Sequence, residues 1–154
     1  SDDSGPDERL ISRSSRAQWV LTPHPGEAAM LLAESTGEVQ ADRFASVQAL
    51  QQRFGGSVLL KGAGSVLCLR DEKPLLLCTE GNPGMATGGM GDVLSGVVGA
   101  LLAQGLTGPG SLEFGVAVHG EAGDLAAQKY GERGLMASDL LPELRQLLNA
   151  NDDE

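Results

Sequence analysis

Short apolar runs and longer segments with helical periodicity follow one another along most of the chain. Apolar runs at residues 18–22, 57–61 and 65–70 have the length and the aliphatic content of buried strands. A fourth run, at residues 74–79, is separated from the third only by the charged triplet 71–73, which predicts a hairpin. The pattern therefore predicts about four strands.

Helical patterns fill most of the remaining sequence. Pro25 suits the first position of a helix and Glu27 places a carboxylate in its first turn, so a helix is predicted over residues 25–33. Further helices are predicted over residues 40–54, 92–104, 111–130 and 138–148. Because strands are followed by helices and glycines stand at the junctions, the pattern predicts an α/β layered fold. Four strands are few for a doubly wound sheet, so one sheet edge is expected to be uncovered.

The two ends of the chain lack this periodicity. Residues 1–17 are rich in Asp, Ser and Arg and are interpreted as a linker or as the remnant of a preceding part of the domain. Residues 149–154 are interpreted as a polar tail, which assigns the domain to residues 18–148. The chain begins with Ser1 rather than Met, which suggests a piece of a longer chain.

Composition narrows the classes of partner. The chain has 154 residues, a length typical of one domain, and a formal net charge of −10. The sequence has no cluster of basic residues that could bind a phosphate backbone, which argues against a nucleic-acid partner. The longest apolar stretch, residues 93–103, is too short to span a bilayer, and no signal peptide is visible. We therefore expect a cytoplasmic protein with no membrane partner.

The chain contains two cysteines, Cys68 and Cys78, which lie in the two strands of the predicted hairpin. They could face each other as a disulfide across that hairpin. Buried free thiols are the favoured interpretation, since a cytoplasmic protein keeps its cysteines reduced.

A glycine-rich segment at residues 81–92 gives the clearest indication of chemistry. Its glycines at positions 84, 88, 89 and 91 let the backbone approach a ligand and point several N–H groups in one direction. The apolar helix that follows adds its positive end, which together predicts a phosphate-binding loop. Asp92, where loop and helix meet, is then placed as a general base for phosphoryl transfer. The alternative is that Asp92 only caps the helix and the glycines only turn the chain.

Two further segments could belong to the same site. Lys61 ends a predicted strand just before a turn of small residues, where its charge could meet a nucleotide phosphate. A lysine merely exposed to solvent is the alternative. His24 stands between Pro23 and Pro25, which fix the backbone as expected beside a substrate-contacting side chain. A histidine that only caps the helix is the alternative there.

Four motifs occur in order along the chain, and together they are more specific than any one alone. They are Thr22-Pro-His-Pro-Gly-Glu27, Lys61-Gly-Ala-Gly-Ser65, the glycine segment Gly81 to Gly96, and Arg133-Gly-Leu-Met-Ala-Ser-Asp139. On these motifs the chain, from about Gln18 to Leu148, resembles the ADP-dependent NAD(P)H-hydrate dehydratases, the carbohydrate-kinase-like domain of the YjeF group. The resemblance implies a ribokinase-like layered fold, with a mostly parallel sheet flanked by helices. This chain would hold only the carboxy-terminal part of that domain.

The resemblance also implies an activity, the dehydration of the S form of hydrated NADH or NADPH back to the dinucleotide, with release of AMP and phosphate. Asp92 would be the catalytic residue at the hydrate, and His24 would contact the hydrate as well. The residues implied to bind ADP are Lys61, Gly62, Ala63, Gly64, Ser65 and Gly91. ADP, with ATP as the alternative, and Mg²⁺ are the implied cofactors, and no metal ligand can be named from the sequence.

The family domain is longer than this chain, and the half that precedes these motifs completes the hydrate pocket. We therefore expect the missing amino-terminal half to accompany the chain, or copies of the chain to associate as a homo-oligomer through the exposed edge. A fused epimerase domain is a further expected partner in bacteria. Two other functions stay open, a ribokinase-like kinase acting on a small molecule and a non-catalytic nucleotide-binding fragment.

Overall fold

A computed structural model describes residues 19–62, 64–70 and 75–149 of the protein. The elements in chain order are β1 (Val20–Leu21), α1 (Pro25–Leu32), α2 (Thr36–Ala41), α3 (Arg43–Phe54), β2 (Ser57–Leu60), β3 (Ser65–Cys68), β4 (Leu76–Cys78), a 3₁₀ turn (Pro83–Met85), α4 (Met90–Ala103), α5 (Gly108–Tyr130), a 3₁₀ turn (Ala137–Asp139) and α6 (Leu140–Leu148). The predicted linker at residues 1–17 and the tail beyond residue 149 lie outside the described residues. None of the described helices is long and apolar enough to cross a membrane.

The described strands form one sheet in the order β1-β2-β3-β4. Strand β1 runs parallel to β2, with Val20 opposite Ser57, whereas β2 with β3 and β3 with β4 are antiparallel pairs. The α/β class and the hairpin are confirmed. The expectation of a mostly parallel sheet is wrong for this part of the chain, because too few residues separate β2, β3 and β4 for the crossover that parallel neighbours need.

The sheet lies between two helical layers, and the side chains of β2 alternate between them. Val58 and Leu60 are fully buried and pack with Val47 and Leu50 of α3. Leu59 faces the other way, into a second apolar cluster. The remaining buried members of this second cluster come from β3 and its end, α4 and α5, and are Leu67, Leu69, Leu94, Val98, Leu112 and Val116. Burial on both faces explains why β2 reads as an uninterrupted apolar run.

The helix predicted over residues 40–54 is two helices in the structure, α2 and α3, which meet at Asp42. The Asp42 side chain accepts a hydrogen bond of 2.9 Å from the Ala45 N–H, so it caps the start of α3. Ser35 caps α2 in the same way and forms a reciprocal capping box with Glu38. Side chains that bind the backbone in a non-helical conformation interrupt an otherwise helical pattern, which is the reason for the difference.

The two cysteines are free thiols in the structure, as predicted, but only Cys68 is buried and Cys78 is half-buried. They cannot face each other because Cys68 lies opposite Val58 on β2, while Cys78 lies opposite Ser65 on β3. Burial, with a hydrogen bond to Glu80, raises the pKa of Cys78 to about 11. The Cys78 thiol is therefore protonated at neutral pH.

Candidate functional site

The carboxyl ends of β1 and β2 bring two of the predicted segments together. Because the two strands are parallel, the turn that holds His24 and the turn that starts at Lys61 leave the sheet side by side. The Lys61 N–H donates a hydrogen bond of 2.9 Å to the Pro23 carbonyl, which joins the two turns directly. The third segment meets them at the Lys61 side chain, since a Cβ placed on Gly91 would lie 2.9 Å from Lys61 Nζ.

The start of α4 presents unsatisfied backbone donors beside this ammonium group. Gly89 is the N-cap, with a φ of 87°, and has no side chain that could cap the helix. The first hydrogen bond of the helix runs from the Val93 N–H to the Gly89 carbonyl at 3.0 Å. The N–H groups of Met90, Gly91 and Asp92 therefore lack intrahelical acceptors, as at any helix start. Free N–H groups, a helix dipole and a nearby cation are the parts of an anion site.

Asp92 occupies the first turn of α4 and is exposed to solvent. It makes no side-chain cap hydrogen bond at the start of the helix. Its carboxylate stands in the first turn, at the positive end of the helix dipole. An exposed carboxylate beside an anion site is placed where a general base for phosphoryl transfer would stand.

The glycine loop is anchored by a residue that sequence reasoning missed, Asp124 in the middle of α5. Its carboxylate accepts from the Gly81 N–H at 3.0 Å and from Asn82 Nδ2 at 2.9 Å. Asn82 Oδ1 in turn accepts from the Gly84 N–H at 3.0 Å. A carboxylate in the middle of a helix has no local signal, because its partners lie more than 40 positions earlier in the chain.

The loop also packs closely on neighbouring backbone. A Cβ on Gly84 would lie 2.5 Å from the Glu132 carbonyl oxygen, closer than real side chains come. On α5, a Cβ on Gly120 would lie 2.7 Å from Glu80 Cβ, and one on Gly123 would overlap the Met85 side chain. Lack of space beside main chain therefore requires glycine at positions 84 and 120, whereas Gly123 faces a flexible side chain.

Two adjoining cavities lie among these segments. The larger, about 540 Å³, lies between the turn after β2 and the glycine loop and includes Gly62, Gly64 and Ser65 in its wall. The smaller, about 130 Å³, includes Lys61, Gly91 and His119. Ser65 lines both cavities, and the larger has the size of a small-ligand pocket. The predicted nucleotide residues thus come together, except Ala63, which lies outside the described residues.

His24 is the N-cap of α1, so the capping interpretation describes its contacts. Its Nδ1 accepts from the Glu27 N–H at 3.1 Å, and the Glu27 carboxylate accepts from the His24 N–H at 2.7 Å. More than half of the imidazole is exposed, at 56%. Glu27 Oε2 also lies 4.0 Å from Lys61 Nζ, so the cap adjoins the anion site. Contact of His24 with a substrate stays a prediction.

His119, on α5, is a second residue that sequence reasoning missed. It is 8% exposed, and its Nε2 lies 3.0 Å from the Met90 carbonyl oxygen at the start of α4. A carbonyl only accepts hydrogen bonds, so Nε2 carries the proton and donates. Burial lowers the pKa of His119, which keeps the ring neutral at physiological pH.

The buried neutral His119 should make the protein sensitive to mild acid. A lowered folded pKa means that the stabilisation is complete above the unfolded pKa of 6.5 and is lost as the pH falls below it. We expect the Tm to drop further between about pH 7 and pH 5 than in His119→Gln, which keeps a donor for Met90 but does not titrate. Scanning calorimetry across that pH range measures the Tm of each protein. His24→Gln is the control, because it removes the exposed histidine instead. An equal decrease in Tm in wild type and in His119→Gln would contradict the assignment of His119 as a buried neutral ring.

Metal ligands are scarce in the described part of the chain. Among the residues that the structure describes, no three His, Cys, Asp or Glu side chains are grouped so that they could hold a metal ion. Magnesium at phosphoryl-transfer sites is commonly bound by one or two carboxylates together with substrate phosphates and water. Such an ion would fit this site as a companion of the nucleotide rather than in a protein cage.

Comparison with known families and proteins agrees with this geometry. A family model described as NAD(P)H-hydrate dehydratase matches residues 6–146. The bifunctional NAD(P)H-hydrate repair enzyme of Vibrio cholerae is 54% identical over 133 residues, which are 86% of this chain and 26% of that protein. The ADP-dependent (S)-NAD(P)H-hydrate dehydratase of Neisseria meningitidis is 41% identical over 131 residues, 84% of this chain and 44% of that protein. The chain thus spans less than half the length of each relative.

A solved structure shares the fold. The ADP/ATP-dependent NAD(P)H-hydrate dehydratase of Bacillus subtilis, crystallised with ATP and Mg²⁺, matches with a TM-score of 0.78 and 26% identity, over 85% of this chain and 48% of that one. The likeness extends to a solved ribokinase-like superfamily protein, so the ribokinase-like fold is confirmed. The family match also begins at residue 6, earlier than the resemblance from residue 18 indicated.

Proposed function

The chain belongs to the NAD(P)H-hydrate dehydratase family, and on this premise we propose that it carries the nucleotide site and the general base of an ADP-dependent dehydratase. The reaction returns the S form of hydrated NADH or NADPH to the dinucleotide. The observation that carries the proposal is the meeting of Lys61 Nζ with Gly91 at the open start of α4. A helix start with a lysine over it binds a terminal phosphate, and the base stands one residue further on.

In the proposed complex ADP spans both cavities. Its nucleoside and first phosphate would occupy the larger cavity, along Gly62, Gly64 and Ser65. Its β-phosphate would lie in the smaller cavity, where Lys61 and Gly91 are found. Lys61 neutralises charge on the phosphate, and the free N–H groups of α4 donate to its oxygens.

The chemistry then follows from the position of Asp92. Its carboxylate takes the proton of the hydrate hydroxyl, and the hydroxyl oxygen forms a bond to the β-phosphorus of ADP. The bond between that phosphorus and the bridging oxygen breaks, and AMP leaves. The carbon–oxygen bond of the phosphorylated hydrate breaks next, with inorganic phosphate as a far better leaving group than water. Loss of the neighbouring proton restores the dinucleotide double bond.

Other parts of the site would complete this reaction. His24, at the mouth beside Lys61, would contact the hydrate. An amino-terminal half would close the hydrate pocket, and a fused epimerase domain would supply the S form from its R epimer. The relatives have room for such parts, since the match covers only 26% of the Vibrio cholerae protein. Mg²⁺ would screen the phosphate charge and would be bound mainly by phosphate oxygens and water.

Product analysis tests the proposed function. The protein that contains this chain is incubated with ADP and hydrated NADH, and AMP, phosphate and NADH are expected in equal amounts. A parallel assay offers ADP or ATP with small alcohols, where no phosphorylated product is expected. Phosphorylated alcohol without NADH formation would favour a ribokinase-like kinase. ADP binding without any turnover would leave a non-catalytic nucleotide-binding module.

A further inference from the structure

One guanidinium group binds main chain at both ends of the connection between β2 and β3. Arg43, the first residue of α3, donates from Nη1 to the Gly64 carbonyl at 2.9 Å. Its Nη2 donates to the carbonyls of Leu60 and Lys61, at 3.1 and 3.3 Å. The bonds reach across 17 to 21 positions of the sequence. Both ends of the turn are therefore fixed to the same side chain.

The position of Arg43 is not explained by helix stability. A cation in the first turn of a helix meets the positive end of the dipole, which is unfavourable. Burial also lowers the pKa of Arg43, although arginine stays charged in proteins. The break at Asp42 nevertheless starts α3 at this residue. Gly62 makes room for the group, since a Cβ there would lie 2.8 Å from Arg43 Nη2.

The hydrogen bonds from Arg43 fix the direction in which the Gly62 N–H points. In a trans peptide unit the carbonyl and the N–H point in opposite directions. The bond from Arg43 to the Lys61 carbonyl therefore directs the Gly62 N–H away from the guanidinium. Gly62 lines the larger cavity, where the nucleotide is proposed to bind. The same bonds fix the main chain from which the Lys61 side chain extends towards Gly91.

We propose that Arg43 is a positioning residue for the nucleotide, which holds the main chain at Lys61, Gly62 and Gly64 in the conformation that receives ADP. The proposal rests on the proposed function. Arg43 acts through main-chain carbonyls rather than through the ligand. Its loss therefore weakens ADP binding by loosening the turn while the rest of the fold stays intact.

The chain offers a matched control on the same helix. Arg53 also donates to a main-chain carbonyl, that of Leu31, at 2.8 Å, and its guanidinium lies 5.4 Å from the Phe54 ring centroid. Arg53→Met removes such a bond far from the turn, whereas Arg43→Met removes the three bonds within it. Arg43→Lys keeps the charge but cannot reach three carbonyls at once.

The experiment uses the protein that contains this chain and makes three measurements. Calorimetry gives the ADP affinity, a melting curve gives the Tm, and amide hydrogen exchange of residues 60–65 is followed without ligand. Arg43→Met is expected to weaken ADP binding on the order of tenfold or more and to speed exchange at the turn. Arg43→Lys should recover little of the affinity. Arg53→Met should leave affinity and exchange at the turn unchanged.

The outcomes separate the two proposals. If the wild-type protein does not bind ADP, the proposed function is wrong and the role of Arg43 falls with it. If the wild type binds ADP and Arg43→Met binds it as well as Arg53→Met does, the role of Arg43 alone is wrong. Full recovery by Arg43→Lys would also overturn it, because charge without the three bonds would then suffice. Should Arg43→Met not fold, the affinity and exchange of Arg43→Lys decide the role of Arg43.

Discussion

Replacing Asp92 by Asn should slow turnover by roughly 10²–10⁴-fold while the affinity for ADP stays nearly unchanged. The amide keeps the shape of the carboxylate but cannot take a proton from the hydrate hydroxyl. ADP binding is expected to persist because its phosphate would be held by Lys61 and by main-chain N–H groups, which the substitution leaves in place. Removing the negative charge beside the phosphate would, if anything, tighten binding.

Steady-state rates of NADH formation, with ADP affinity from calorimetry, measure this split for Asp92→Asn. Glu113→Gln is the matched control, since Glu113 is an exposed carboxylate on α5 and its neutralisation changes the net charge by the same amount. Turnover in Asp92→Asn that equals the control would remove Asp92 from the mechanism. A parallel loss of ADP affinity would instead show that the residue supports binding rather than proton transfer.

Lys61→Met is expected to weaken ADP binding by roughly 10–100-fold, the usual contribution of a hydrogen bond from a charged group. The physical reason is local, because Nζ lies over Gly91 at the start of α4, where the β-phosphate is proposed to bind. Met keeps most of the side-chain volume and removes only the charge. Lys61→Arg should retain a large part of the affinity, since the charge remains although its geometry changes.

The comparison of ADP with AMP makes this test specific. AMP lacks the β-phosphate, so Lys61→Met should weaken AMP binding far less than ADP binding. Calorimetric titrations with both nucleotides, on wild type and variant, give the two ratios. An equal loss for AMP and ADP would mean that Lys61 meets another part of the nucleotide or only stabilises the turn.

Local patterns in the sequence predicted much of this fold for physical reasons that the structure makes plain. The run at residues 57–61 reads as a strand because β2 is buried on both faces. Pro25 and Glu27 indicated the start of α1 because proline fits the first turn and the glutamate completes a capping box with His24. The break at Asp42 was missed, although an N-cap residue inside the helical pattern was a signal that could have found it.

The residues that hold the site could not be found in this way. Asp124, His119 and Arg43 each bind main chain that is 17 to 43 positions distant. Nothing near them in sequence distinguishes them from other charged or polar helix residues. The candidate nucleotide residues could be proposed from sequence because a glycine-rich turn at a strand or helix end is a local pattern typical of anion binding. Supporting contacts depend on how elements pack, which no local pattern contains.

The packing of α5 against the glycine loop limits how relatives of this chain can diverge. A Cβ on Gly123 would meet the Met85 side chain, so a larger residue there requires a smaller one at position 85. A Cβ on Gly120 would meet Glu80 Cβ and main chain, so a larger residue there requires a shift of the chain at Glu80. The two segments must therefore drift together over evolutionary time, whereas the exposed side of α5 is free to vary. A recombinant that joined the loop of one lineage to the helix of another would meet a steric conflict, even where each parent folds well.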